Sequence, residues 1–96
     1  MQFKYDEDKI LNEMHDYIAK TYSEHYVSGD SKNNVQLNDL FIADGTAIPF
    51  WRNNAIKYLS RFGKKDGQNR KDLLKTIHYS ILMLAEIDRK NNDSKE

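Results

Sequence analysis

An amide, an ammonium and a guanidinium stand at Asn54, Lys57 and Arg61, spaced i, i+3, i+7. At about 100° per residue that spacing puts all three on one stripe of a helix. Beyond them come Lys64 and Lys65 within Gly63-Lys64-Lys65-Asp66-Gly67, then Arg70, Lys71 and Lys75. So many donors, carried by two helices across a short link, suit an anion. The ammoniums act as point charges and the guanidinium as a planar fork that matches phosphate or carboxylate. In this reading Lys57, Arg61 and one or more of Lys64, Lys65 and Lys75 hold phosphates, and Asn54 reads a ribose or base edge. Tyr26, Tyr58 or Tyr79 stacks on a ring, with His25 as a further stacking or polar group.

The elements that must position these groups follow from apolar periodicity. Ile10, Leu11, Met14, Tyr17, Ile18, Thr21 and Tyr22 share an arc, which predicts a helix from about 7 to 22 with acidic residues in its first turn. Residues 23–35 have loop composition, with His25 and Tyr26 just after the helix. Leu37, Leu40 and Phe41 predict a short helix at about 36–43, stopped by Asp44-Gly45. Ile48-Pro49 reads as an extended turn, with Pro49 in the first turn of the next helix or just ahead of it. That helix runs to Arg61 or Phe62, with Trp51, Ala55, Tyr58, Leu59 and Phe62 facing a core. Gly63 suits a left-handed cap. Asn69 is a good N-cap for a last helix reaching about Arg89, with Asp72 at its third position. On that helix Leu73, Leu74, Ile77, Ile81, Leu84, Ala85 and Asp88 form the expected core stripe. His78, Tyr79, Leu82 and Met83 lie off it and are expected in a subunit contact. The expected fold is therefore all-α: a compact bundle of about four helices, two long, one medium and one short. It forms a single domain over residues 1–96 with a frayed tail at 90–96, and it is oligomeric through the last helix.

Composition narrows the class. Ninety-six residues with 39% hydrophobic content support one modest core. There is no cysteine, so neither a disulfide framework nor a thiolate metal site is available. The N-terminus MQFKYDEDK lacks an apolar signal core, and no apolar run approaches a membrane span, so a cytoplasmic protein is expected. Net charge is zero but unevenly spread: residues 1–50 carry 4 basic and 9 acidic groups, whereas residues 51–75 carry 8 basic and 2 acidic. The middle block can draw in a phosphorylated ligand, while the acidic half argues against broad coating of nucleic acid.

The central stretch resembles a known family. The pattern is His25-Tyr26, a spacer, then Phe50, the run Asn54-Ala55-Ile56-Lys57-Tyr58, Arg61, Gly63-Lys64-Lys65, and Asp72-Leu73 with Lys75 and Tyr79. It is similar to a small domain of tailed phages that occurs alone or within phage proteins described as nucleotide kinases. The resemblance spans roughly residues 25 to 85. It departs at Asn53, where the family usually has glycine. It implies phage origin, hence the host cytoplasm, and a connection with nucleotides.

Plainer readings stand beside the sharp ones. Lys64-Lys65 has the look of any solvated charged face. Arg61 can instead pair with Asp72 and tie two helices together. No His-x-x-x-His or Glu-x-x-His spacing is present, so neither metal nor cofactor is expected. No Gly-x-x-x-x-Gly-Lys-Ser/Thr loop is present either, and the paired acidic motifs of helical pyrophosphatases are absent from the central helices, which carry only isolated Asp72 and Glu86. No catalytic residue is assigned. The reading favoured is a phage protein that binds a small phosphorylated, nucleotide-like ligand in a basic, tyrosine-lined pocket, with sequestration of a host immune nucleotide signal as one version of that role. The alternatives are a catalytic or accessory part of phage nucleotide metabolism, and a protein or nucleic-acid interaction module.

Overall fold

The structure, a computed structural model, describes residues 1–27 and 31–94, with side chains over 1–23 and 37–93. Among the described residues four helices follow one another: α1 (Glu7–Val27), α2 (Ser31–Asp44), α3 (Ala47–Arg61) and α4 (Arg70–Ser94). The fold is all-α, with no strand among the described residues. The chain divides into two units, Met1–Val35 and Gln36–Glu96. Among the described residues no helix is long and apolar enough to cross a membrane.

In the first unit, α1 starts where Asp6 takes a left-handed φ of 59° and its carbonyl accepts the Ile10 amide at 2.9 Å. Aspartate tolerates that conformation better than most side chains. Glu7 and Asp8 occupy the first turn, where the helix dipole favours them. Met14 is buried, and Ile10, Tyr17, Ile18 and Thr21 are partly buried on the same arc; Leu11 and Tyr22 point outward. The helix continues five residues past the expected end at Tyr22. Residues 23–27, Ser-Glu-His-Tyr-Val, contain no breaker, so propagation adds a hydrogen bond per residue with nothing to stop it before Gly29. Likewise α2 starts at Ser31, not about 36, so the loop expected over 23–35 gives way to helix at both ends.

The second unit is built on tight links. Gly45, at φ 77°, ends α2, and the Thr46 amide donates to the Phe41 carbonyl at 2.9 Å. Ala47, Ile48 and Pro49 form the first turn of α3. The extended Ile48-Pro49 turn is thus replaced by the first-turn placement, where the missing proline N–H has no intrahelical partner to lose. Phe41 packs on Phe50 with ring centroids 4.5 Å apart, and the Trp51 indole N–H donates to Asn38 Oδ1 at 3.3 Å. Trp51, Ala47 and Ala55 are buried.

The α3–α4 hairpin is the principal packing of this unit. Gly63, at φ 84°, follows the C-cap Phe62, whose amide donates to the Tyr58 carbonyl at 3.2 Å. The Gly63 amide donates to the Gly67 carbonyl at 2.8 Å and closes the link. Asn69 Oδ1 accepts the Lys71 amide at 2.9 Å, which makes Asn69 the N-cap of α4. A β-carbon on Gly63 meets nothing within 4 Å, so Gly63→Ala is a pure test of the left-handed cap. It is expected to cost about 1–2 kcal/mol in a denaturant melt, with helix content unchanged by circular dichroism. At its far end α4 extends beyond Arg89 to Ser94, supported by the Arg89 to Asp93 ion pair at 2.8 Å, spaced i, i+4.

The face that α4 turns inward differs from the one expected. Leu74 is buried, but Leu73, Ile77, Ile81, Leu84, Ala85 and Asp88 are exposed. Asp72 and Glu86 are buried, and Lys75, His78, Tyr79, Leu82 and Met83 are partly buried. The residues expected in a subunit contact are thus partly covered by the chain itself. The α3 side repeats this in part: Tyr58 and Phe62 are partly buried as expected, while Leu59 is 56% exposed.

Candidate functional site

The seam of the hairpin is marked by two contacts. The Thr76 hydroxyl donates to the Asp72 carbonyl at 2.8 Å and lies 3.5 Å from the Ala55 carbonyl. The rings of Tyr58 and Tyr79 lie near parallel, 10° apart in plane, with centroids 6.1 Å apart. Around the Tyr58 ring gather three cations. Lys57 Nζ is 4.8 Å from its centroid, Lys75 Nζ 4.7 Å, and the Arg61 guanidinium carbon 5.3 Å.

Helical spacing explains the convergence. Lys57 and Arg61 are one turn apart on α3 and flank Tyr58, while Lys75 and Tyr79 are one turn apart on α4. Packing the two helices along Tyr58 and Tyr79 brings both pairs to one side of the hairpin. Each cation gains from the negative face of the ring, by about 0.5–1 kcal/mol at an exposed site. The three positive charges nevertheless repel one another. Among the described residues no carboxylate lies within ion-pair distance of Lys57, Arg61 or Lys75. Three neighbouring cations thus share one tyrosine ring.

Other expected members fall elsewhere. Asn54 turns its amide N–H back onto the Phe50 carbonyl of its own helix at 2.9 Å, leaving its carbonyl oxygen as the remaining polar handle. Lys64 and Lys65 are exposed in the link, and their backbone amides approach the Arg61 carbonyl at 3.0 and 3.4 Å. Their side chains make no described contact with the Tyr58 ring. His25 and Tyr26 lie in the last turn of α1, and their side chains fall outside the described residues. Asp72 is only 5% exposed, in the first turn of α4, and no ion pair joins it to Arg61 among the described residues. Arg61 faces Tyr58 instead. Among the described residues no group of three His, Asp or Glu could hold a metal ion.

Glu86, read from the sequence as lacking an acidic partner, has a basic one. This carboxylate is 3% exposed and is held by the Arg89 guanidinium through Nε to Oε1, with Nη2 to Oε2 at 3.2 Å. The i, i+3 spacing of Glu86 and Arg89 was the available signal. The Arg89 hydrogen bond holds the Glu86 carboxyl below its usual range, outweighing the opposite pull of burial. Burial alone lowers the pKa of His78 from 6.5. Both shifts make the fold acid-sensitive. Each group binds more protons unfolded than folded, so stability rises with pH through its window. The His78 contribution is complete above 6.5 and fades as pH falls toward its lower folded value. The Glu86 contribution is complete above 4.5 and fades below it. The melting temperature is therefore expected to fall in two stages on acidification, and His78→Gln is expected to flatten the first stage only. A wild-type melting temperature that does not change between about pH 7.5 and pH 5.5 contradicts the His78 assignment.

A family model for a protein of unknown function, DUF3310, matches residues 20–80. No curated protein and no solved structure matches the chain.

Proposed function

The chain belongs to the DUF3310 family, and we propose that it binds a small phosphorylated, nucleotide-like ligand at the Tyr58 cluster. The observation that supports this reading is the meeting of Lys57, Arg61 and Lys75 at one tyrosine ring with a second tyrosine parallel to it. Two ammoniums and a guanidinium match a di- or triphosphate, with Arg61 able to grip two oxygens at once. The parallel tyrosines offer a ring surface and hydroxyls to a base or ribose. The carbonyl oxygen of Asn54 serves a ribose or base donor. In the phage setting that the sequence resemblance implies, retention of an intact nucleotide amounts to sequestration of a host signal.

The test is to purify the chain, release bound small molecules by heat, and identify them by mass spectrometry. An intact nucleotide in stoichiometric amount supports the reading. Conversion of an added nucleotide places the chain in nucleotide metabolism instead. Salt-dependent retention of DNA with no small molecule bound makes it a nucleic-acid interaction module.

A further inference from the structure

The hairpin has two sides. On one lies the cation cluster. Ile56 and Leu59 of α3 and Leu73, Ile77, Ile81, Leu84 and Ile87 of α4 are each between 36 and 62% exposed, and the pitch of each helix turns them away from Lys57, Arg61 and Lys75. We propose that this apolar face pairs with the same face of a second copy of the chain. The pairing runs α4 against α4 in antiparallel orientation, and it leaves the cation cluster open on the opposite side of each hairpin.

Three features select a second copy. The first is spacing. From Leu73 through Ile77, Ile81 and Leu84 to Ile87 the chain advances 14 residues in four steps, a mean of 3.5. Taken as 4, 4, 3 and 3, the steps keep all five side chains within an arc of about 120°, one continuous face of the helix. The second is area. These side chains leave on the order of 600 Å² in water per copy, at the upper end of what a monomer exposes in one patch. Two copies together bury about 1,200 Å², the lower bound for a stable specific interface.

The third is charge and shape about a two-fold axis. Arg70 and Asp88 are 18 residues apart, five full turns, and so lie in line with the apolar stripe, one beyond each of its ends. A two-fold axis near Tyr79 and Ser80 sets Arg70 of each copy beside Asp88 of the other. An isologous contact makes this exchange twice. Ser80, small and exposed, sits at the crossing point and lets the two helices approach closely.

The test is the mass of the intact chain at micromolar concentration by light scattering, for wild type and variants. Wild type is expected at twice the chain mass or an even multiple of it. Ile81→Glu is expected to halve that mass with helix content retained. Should Ile81→Glu fail to fold, Ser80→Arg serves in its place. It puts a cation at the crossing while removing only a hydroxyl that bonds the Thr76 carbonyl. Arg70→Glu is expected to weaken the assembly at least tenfold, and the double variant Arg70→Glu, Asp88→Arg to restore it. A monomeric wild type overturns the proposal, as does an assembly untouched by Ile81→Glu and Ser80→Arg. An Arg70→Glu defect that Asp88→Arg does not repair overturns the antiparallel pairing. None of these readouts involves the cation cluster, so they stand or fall apart from ligand binding.

Discussion

Arg61→Ala and Lys57→Ala, made separately, are each expected to weaken binding of a phosphorylated ligand by about 1.5–3 kcal/mol while leaving the melting temperature almost unchanged. The affinity loss is that of a charge-assisted hydrogen bond to phosphate. The stability term is small because two effects oppose each other. Each substitution forfeits a cation–ring contact with Tyr58 and relieves repulsion from the two remaining cations. Calorimetric titration with the nucleotide released from the pure protein, and with inorganic pyrophosphate as a generic probe, measures the first quantity. Thermal melts with and without ligand measure the second. The helix-tie reading makes the opposite forecast. If Arg61 existed to neutralise Asp72, its removal would strand a buried carboxylate, and the melting temperature would collapse with binding intact. The geometry favours the first outcome, because Arg61 lies over Tyr58 and makes no ion pair with Asp72.

Trp51→Ala is expected to cost about 3–5 kcal/mol of stability, the largest effect of any single change considered. The indole is 3% exposed, and its N–H is bonded to Asn38 on α2. Removing it opens a cavity and leaves the Asn38 carbonyl oxygen without its donor. Because α3 also carries Lys57, Tyr58 and Arg61, the loss of this anchor should weaken ligand binding as a secondary consequence. Trp51→Phe separates the two terms. It keeps most of the volume and removes the N–H, so its cost should fall to about 1–2 kcal/mol. A chemical denaturation series on the three proteins checks both figures. A Trp51→Ala cost below about 1 kcal/mol would mean that α3 is not anchored through this side chain.

The sequence by itself determined where helices could form and which charges could converge. Glycines at 45, 63 and 67 and the asparagine at 69 mark the links, because a left-handed turn or a cap demands those residue types locally. Asn54, Lys57 and Arg61 were placed on one stripe by spacing, since neighbours on one helix are fixed by its pitch, whereas Tyr58 read as a core residue and Tyr79 as part of a subunit contact. The helical extent of residues 23–27 and 31–35 was not legible, because polar composition reads as loop even where no residue breaks the helix.

What only the tertiary structure decided is the rotation of α4. Apolar residues occur all around that helix, with Leu73, Ile77, Ile81 and Leu84 on one side and Tyr79, Leu82 and Met83 on another. Periodicity alone cannot say which side a partner helix covers. The choice was made by contacts between elements: Thr76 against Ala55, and Tyr79 parallel to Tyr58. These contacts bring Lys75 to Tyr58 and leave the longest aliphatic stripe in water. The same rotation that assembles the cation cluster therefore exposes the face on which a second copy can dock. Neither result could be read from one helix, because each depends on how two helices turn toward each other.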